Sequence, residues 1–392
     1  MQERPEPGRP AVSAIEIDEA GSRRDMTTFI RLPRLIYKGM TGFEAPLDHE
    51  RRQLIAPPAA PFLKAGEVAW WIARREGEPV GRISAQMPFK PARDADTGAT
   101  IGYFGCLDAI DDGAVVSALL GRAAGWLAER GCSIVQGPFA LSINGETGLL
   151  VEGQARGGMI MLPWHPDYLA GHVEQAGFRQ VKDVVSYTYR RATKAPFVDW
   201  LMERPLEEAF ENMVVRPLDM KRLGDDLEII REIYNDAWRD NWGFLPVSRD
   251  EARALEKATR DLLVADCGVI VEHDGKPVAA ALLLPNLFEI IGEFDGRLLP
   301  FNWIKLLARM ARKPYRSARI LLFGVRPSES KKPHGPLLPA MILRAFLQRA
   351  PRYRLEEFDM GWVLDHRSEI RNMLDRTGAT LTRRHRIYQR TL

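Results

Sequence analysis

The sequence predicts an α/β fold made of two tandem domains, each a mixed, largely antiparallel sheet flanked by helices. Three observations carry this. A turn signal recurs, Glu76-Gly77-Glu78-Pro79-Val80 being matched by Asp274-Gly275-Lys276-Pro277-Val278. Ala176-Gly177-Phe178 is answered by Thr377-Gly378-Ala379 at nearly the same offset. Between these marks both halves read strand, helix, strand, helix, closing strands, and such self-similarity marks a tandem pair. A length of 392 residues suits two domains. The expected division is a disordered segment over 1–25, a domain over 26–195, a linker over 196–212 and a domain over 213–392.

Met26 to Ile36 reads as a short helix and Pro57-Pro58-Ala59-Ala60-Pro61 as a connector. Val68 to Ala73 and Val80 to Met87 form a hairpin across the first turn signal, and Thr100 to Leu107 is a further strand. Ala114 to Arg130 has Val115, Leu119, Ala123, Trp126 and Leu127 at helical spacing, and Gly131 stops it. Ser133 to Gln136 reads as a strand, Pro166 to Gln175 as a helix, and Phe178 to Arg190 completes the unit. In the second half, Leu227 to Trp238 and Arg249 to Leu263 are helices, and a hairpin runs from Gly268 to Leu284.

Composition is that of a globular chain, and a formal charge of +3 gives no warrant for nucleic acid. Cys106, Cys132 and Cys267 are scattered and odd in number, which argues for a reducing, cytoplasmic setting. Neither they nor the dispersed histidines have metal-ligand spacing, so no metal site is expected. The polar, Pro-rich start lacks the apolar core of a secretory signal.

The most informative stretch begins with the apolar run Ile320 to Val325. Arg326 to Gly335 follows, basic and rich in turn formers, and then a helix over Leu337 to Leu347. Strand, basic loop and helix start together can hold a phosphate on free backbone N–H groups. A merely basic surface loop is the other account. The same junction in the first half, Leu107-Asp108-Ala109-Ile110-Asp111-Asp112-Gly113, is acidic and would repel a diphosphate.

In its order of elements the chain resembles the GNAT acyltransferase superfamily twice, over roughly 25–190 and 212–392. The family's phosphate loop reads Arg/Gln, two residues, Gly, one residue, Gly/Ala. Lys332-Pro333-His334-Gly335-Pro336-Leu337 keeps only a basic residue and one glycine, and its prolines remove amide donors. The tyrosine often used as general acid is missing, with Leu374 near its place. Pro46, Asn144-Gly145-Glu146, Gly148-Leu149-Leu150, the stretch Asn235 to Pro246 and Met360-Gly361-Trp362-Val363-Leu364 resemble a bacterial branch of two-lobed members that includes ceramide synthases.

The resemblance implies acyl-CoA as cosubstrate, none bound permanently, and transfer of a long-chain acyl group to the amine of a sphingoid base. Acetylation of a small amine or amino acid, and a non-catalytic ligand-binding pair, are the alternatives. In this family the thioester lies where two central strands part, here Ile320–Val325 and Leu355–Leu364. Cosubstrate contacts then fall to Phe323, Gly324, Val325, Arg326, Lys331, Lys332, His334 and Gly335, with a backbone N–H near Phe323 or Gly324 for the oxyanion. Asp359, on the face of a central strand shared with Glu357 and Gly361, is the first candidate for general base, or else an Asp paired with Arg. His366 and Glu146 are further catalytic candidates, with helix-start and turn chemistry as the alternatives. Asn235, Trp238, Trp242, Phe244 and Trp362 are assigned to the acceptor pocket, or to the core. An insertion over Asn302 to Lys313 places Trp303, Leu307, Met310 and Ala311 on one helical face and Lys305, Arg309 and Arg312 on the other. With Arg316 and Arg319 it suits peripheral contact with the inner face of a membrane through 302–319, or packing on the core with a solvated basic side.

Overall fold

The computed structural model describes residues 13–260, 262–312 and 315–392. The first half runs β1 (Ile15–Glu19), α1 (Arg23–Ile36), α2 (Asp48–Ile55), β2 (Gly66–Arg75), β3 (Glu78–Pro88), β4 (Ile101–Ala109), α3 (Gly113–Ala128), β5 (Ile134–Gly137), β6 (Leu149–Glu152), α4 (Tyr168–Gln175) and β7 (Arg179–Arg190). After α5 (Pro196–Glu203) the second half runs β8 (Met213–Arg216), α6 (Leu223–Trp238), α7 (Arg249–Thr259), β9 (Gly268–His273), β10 (Lys276–Pro285), α8 (Phe288–Ile291) and α9 (Asn302–Arg312). It closes with β11 (Ser317–Val325), α10 (Pro327–Ser330), α11 (Leu338–Arg349), β12 (Glu357–Leu364), α12 (Ser368–Arg376) and β13 (Thr380–Thr391).

The repeated turn signals fold alike. Glu76 and Gly77 have φ of 52° and 80°, and Asp274 and Gly275 have 51° and 69°. Two consecutive positive φ values make the tight hairpin turn whose twist matches the strands, and Gly at the second position adopts it without strain. The three aspartates of the first junction serve structure. Asp108 binds buried Arg82 at 2.7 Å, Asp111 lies 2.7 Å from His172, and Asp112 caps α3 by accepting from Ala114 N at 2.8 Å.

All strands of the described residues join one mixed sheet in the order β1-β2-β3-β4-β5-β13-β7-β12-β11-β10-β9-β8, with β6 also on β13. The closing strands are exchanged. β13, the last strand of the second half, lies between β5 and β7 of the first, while β7 pairs with β12 of the second. The core follows suit. Tyr388 of β13 is buried among first-half residues, and Tyr187 and Tyr189 of β7 among second-half ones. Charge pins the exchange: Arg386 Nε donates to Asp183 Oδ1 at 3.0 Å and Arg384 Nη1 to Asp183 Oδ2 at 3.2 Å.

Two expectations are corrected. The disorder expected over 1–25 does not extend to Ile15–Glu19, which pairs with β2 because Ile15 and Ile17 alternate onto the first-half core; residues 1–12 lie outside the described residues. The stretch expected as linker, 196–212, contains α5, whose Val198 and Leu201 are buried in the second-half core.

Candidate functional site

Among the described residues each half has one parallel strand pair that runs together and then parts. β4 and β5 pair through Ile101–Tyr103 and Ile134–Gln136. β11 and β12 pair through Ser317–Ile320 and Glu357–Met360. In the first half the gap is bridged by the chain itself: Phe139 N donates to Phe104 O at 2.9 Å, and its carbonyl accepts from Gln86 Nε2 at 3.0 Å. In the second half the gap opens into a chamber of about 1020 Å³. The repeat thus makes two wedges and fills one.

The chamber threads the wedge. Leu321, Leu322 and Phe323 line one strand edge and Met360, Gly361, Trp362 and Val363 the other. One end is walled by α11 and α12 through Ile342, Leu343, Met373 and Leu374, the other by α6 and α7 through Tyr234, Trp238 and Leu255. The first half contributes His49, Glu50, Gln53 and the loop from Ala140 to Gly145. Such a largely apolar space with few polar groups is the usual form of a small-molecule site.

Of the expected acceptor residues, Trp238 and Trp362 meet at the wedge, edge to face at 6.1 Å. Trp238 stacks on Tyr234 at 5.6 Å and donates Nε1–H to the Phe323 carbonyl at 2.6 Å. The polar edge of Phe323 therefore faces Trp238 at the gap. Phe244 packs behind Tyr234, and Trp242 against the cluster containing Phe139 and Ile143. The Asn235 side chain braces Val247, accepting from its N–H at 2.9 Å and donating to its carbonyl at 3.0 Å, so its polar groups are turned away from any ligand.

The connection after β11 is folded inward rather than held open as an anion seat. Glu329, an acid the charge count hides, accepts from Lys332 at 2.8 Å and lies 2.9 Å from His334. His334 and Gly335 are buried. Backbone N–H groups of Glu329, Ser330, Lys332, Gly335 and Leu337 donate to carbonyls of the same stretch. Arg326 donates to the Pro277 carbonyl at 2.9 Å, and Gly324 packs on Ile233. Lys331 is exposed and in no ion pair among the described residues.

Asp359 is buried beside two arginines, with Arg383 donating to Oδ2 at 3.0 Å and Arg319 Nε lying 3.8 Å from Oδ1. Burial pulls its carboxyl above the usual range against the attraction of both cations, and pushes Arg319 down to about 10. Arg319 also grips the Gly361 carbonyl at 3.2 Å and the Ile160 carbonyl at 2.6 Å, splinting the root of the wedge. His366 is exposed, beyond the end of β12, where burial and nearby Lys182 and Arg367 lower its pKa; it does not line the chamber.

Glu146 forms a bidentate pair with Arg51, which outweighs burial and holds its carboxyl below the usual range. Beside them Glu50 lines the chamber and has no hydrogen-bond partner among the described residues. Its carboxyl is pushed up by burial and by Glu146, with Arg51 opposing. Tyr234, also on the chamber wall, is pushed up to about 12 by burial. Neither residue was legible as functional. Glu50 sits in the polar run Asp48 to Arg52, which reads as a solvated helix, whereas Tyr234 adjoins the singled-out Asn235.

No family model matches the chain. It is 33% identical over 369 residues to the bacterial ceramide synthase of Caulobacter vibrioides, covering 94% of this chain and 95% of that one. It is 32% identical over 375 residues to protein YghO of Escherichia coli, covering 95% and 94%. In fold it resembles a tandem GNAT protein from the clavulanic acid biosynthesis pathway (TM-score 0.56, 11% identity, 96% of this chain and 98% of that one). A GCN5-related N-acetyltransferase from Sphaerobacter thermophilus is similar (TM-score 0.52, 12% identity, 96% and 95%). The doubled wedge and the shared architecture give the chain a tandem GNAT fold, and the relatives matched along nearly all of its length show that it belongs to the family that holds the Caulobacter ceramide synthase and YghO.

Proposed function

We propose that the chain is an acyl-CoA-dependent N-acyltransferase that moves a long-chain fatty acyl group to the amine of a sphingoid base. The observation that carries this is the apolar chamber of about 1020 Å³ passing through the second wedge, a volume at the upper end of ligand sites. Such a space suits two lipid chains better than acetyl-CoA and a small amine. Leu374, near the place where the resemblance would put a general-acid tyrosine, is one more apolar wall.

In this reading the thioester carbonyl sits at the wedge, its developing oxyanion held by the Phe323 backbone N–H. The sphingoid ammonium enters from the α6–α7 side and loses a proton to Glu50, whose elevated pKa suits a general base. The free amine attacks, the C–N bond forms and the C–S bond breaks. Tyr234, kept neutral by burial, protonates the leaving thiolate and regains a proton from the attacking nitrogen as the neutral amide forms. The Arg51–Glu146 pair fixes the orientation of α2 and hence of Glu50. Lys331, exposed after α10, is a cation offered to the CoA phosphates in this reading.

Purified protein in detergent, given palmitoyl-CoA and sphinganine, is expected to release free thiol and N-acyl product in equal amounts. Folded protein that yields neither ends this reading. Turnover of acetyl-CoA with soluble amines alone favours the small-amine alternative, and no CoA-dependent thermal shift favours a non-catalytic pair. Leu343→Trp, which fills the α11–α12 end, is expected to cut palmitoyl transfer about tenfold through overpacking. Transfer of a short acyl group should fall less, as measured by thiol release across acyl lengths.

The substrates of this reading reach the protein from a lipid surface, and one face suits that contact. Leu299, Phe301, Trp303, Ile304 and Leu307 are exposed, Leu299 at 75% and Phe301 at 69%. Leu298, Leu306 and Met310, interleaved with them, line the chamber. The structure alters the expected faces: Met310 turns inward, while Lys305 and Arg309 pair with Glu293 at 3.8 Å and 2.5 Å. Apolar insertion therefore dominates over charge. No described helix is long and apolar enough to cross a membrane. The triple variant Leu299→Ser, Phe301→Ser, Trp303→Ser is expected to lower vesicle co-sedimentation at least about tenfold, since each buried apolar side chain contributes about 1.5–3 kcal/mol. Unchanged co-sedimentation would remove the membrane contact and leave the chemistry standing.

A further inference from the structure

The geometry points to a divalent transition-metal site formed by His273, Glu329 and His334. One ligand atom of each lies within 4.8 Å of the others. They come from separate pieces of chain. His273 ends β9 at the hairpin turn, Glu329 lies in α10, and His334 follows in the connection to α11. The sequence expectation of no metal site rested on spacing along the chain, which cannot register ligands brought together across a sheet.

The three groups are set for a cation before one arrives. His334 is 4% exposed and Glu329 9%. His334 Nε2 lies 2.9 Å from Glu329 Oε2, while Lys332 holds the other oxygen, Oε1, at 2.8 Å. Coordination through Oε2 thus leaves the Lys332 contact in place, and ligating carboxylates commonly keep such a second partner. His273 stacks edge-on against His334, with ring centroids 4.6 Å apart. Its ring nitrogens make no hydrogen bond among the described residues, and the nearest acid, exposed Asp274, stands 3.9 Å away. A His–Glu pair needs one imidazole; the second brings a free ring nitrogen to the same point. Phe210 shields the far side of His334 at 5.8 Å.

Two imidazoles and one carboxylate suit Zn²⁺ or a neighbouring transition ion, and not Mg²⁺ or Ca²⁺, which prefer oxygen sets. Three protein ligands leave a fourth position for water. The cation ties the Asp274-Gly275 turn to the 327–337 connection, cross-linking two segments otherwise joined mainly by Arg326. The site stands apart from the acyl-transfer reading, because it needs no CoA and no amine.

The test uses the full chain, stripped with EDTA and dialysed. Zn²⁺ alone is titrated by calorimetry, Mg²⁺ serves as the contrast, and Co²⁺ is followed by visible absorption. Expected are one equivalent of Zn²⁺ with a rise in melting temperature, no effect of Mg²⁺, and Co²⁺ bands of a four-coordinate site without the thiolate band a cysteine ligand gives. His273→Ala and His334→Ala are each expected to weaken Zn²⁺ at least about tenfold, the loss already seen for outer-shell partners. His172→Ala should leave it unchanged. If His334→Ala fails to fold, half-buried His273 decides alone. Absence of a saturable equivalent, or affinity indifferent to His273→Ala, overturns the site.

Discussion

Glu50→Gln is expected to lower kcat by about 10²–10⁴-fold, the usual contribution of a general base, with the fold intact. The variant is nearly isosteric, and the wild-type carboxylate has no hydrogen-bond partner among the described residues to lose. The pH profile separates a base from a bystander. Burial and Glu146 raise the Glu50 pKa above the ordinary glutamate value. The base works only when deprotonated, so kcat/KM should climb as pH rises through that elevated pKa and level off above it. In Glu50→Gln this limb should vanish. A variant that keeps both the limb and the rate would return the base role to another group. Glu146→Gln offers the contrast, because it releases Arg51 and removes the negative charge that helps raise Glu50. Its expected signature is the same limb shifted to lower pH, with a smaller loss in rate.

Asp359→Asn should produce the largest loss of stability, about 3–5 kcal/mol, as for other buried ion pairs broken at one partner. Arg319 and Arg383 are 2% and 4% exposed, and the substitution leaves both buried without their counter-ion. Urea unfolding measures the loss directly. The same variant decides the role of this residue, the first candidate for general base on sequence grounds. A structural carboxylate predicts residual activity that tracks the folded fraction. A catalytic one predicts near-native stability with the rate gone. The two arginines at hydrogen-bond or ion-pair range favour the first outcome.

The repeat made the fold legible. Hairpin turns, helical periodicity and the matching order of elements are local signals, and they placed most strands and helices within a few residues. The exchange of closing strands was not legible, because pairing between strands so far apart in the chain leaves no local signal in either. The structure brings Phe323 of β11, Trp362 of β12 and Trp238 of α6 together at the gap, as the strand pattern led one to expect of the two strands. The site was misjudged where charge alone was read. The basic look of Arg326 to Gly335 conceals Glu329, which draws Lys332 and His334 inward. Glu50 was invisible because the chamber and the distant Glu146, which help to raise its pKa, are brought beside it only by the fold.

The first half cannot be finished until synthesis has gone on through the second as far as β13. The strand that completes the first half is β13, and just beyond it Leu392 N donates to the Ser133 carbonyl at 2.9 Å. The nascent first half therefore waits with an open slot between β5 and β7 through the synthesis of some two hundred further residues. A frameshift or stop near the carboxyl end harms the opposite half of the molecule as much as its own. Cutting the gene at its apparent midpoint should give two insoluble pieces rather than two independent acyltransferase lobes.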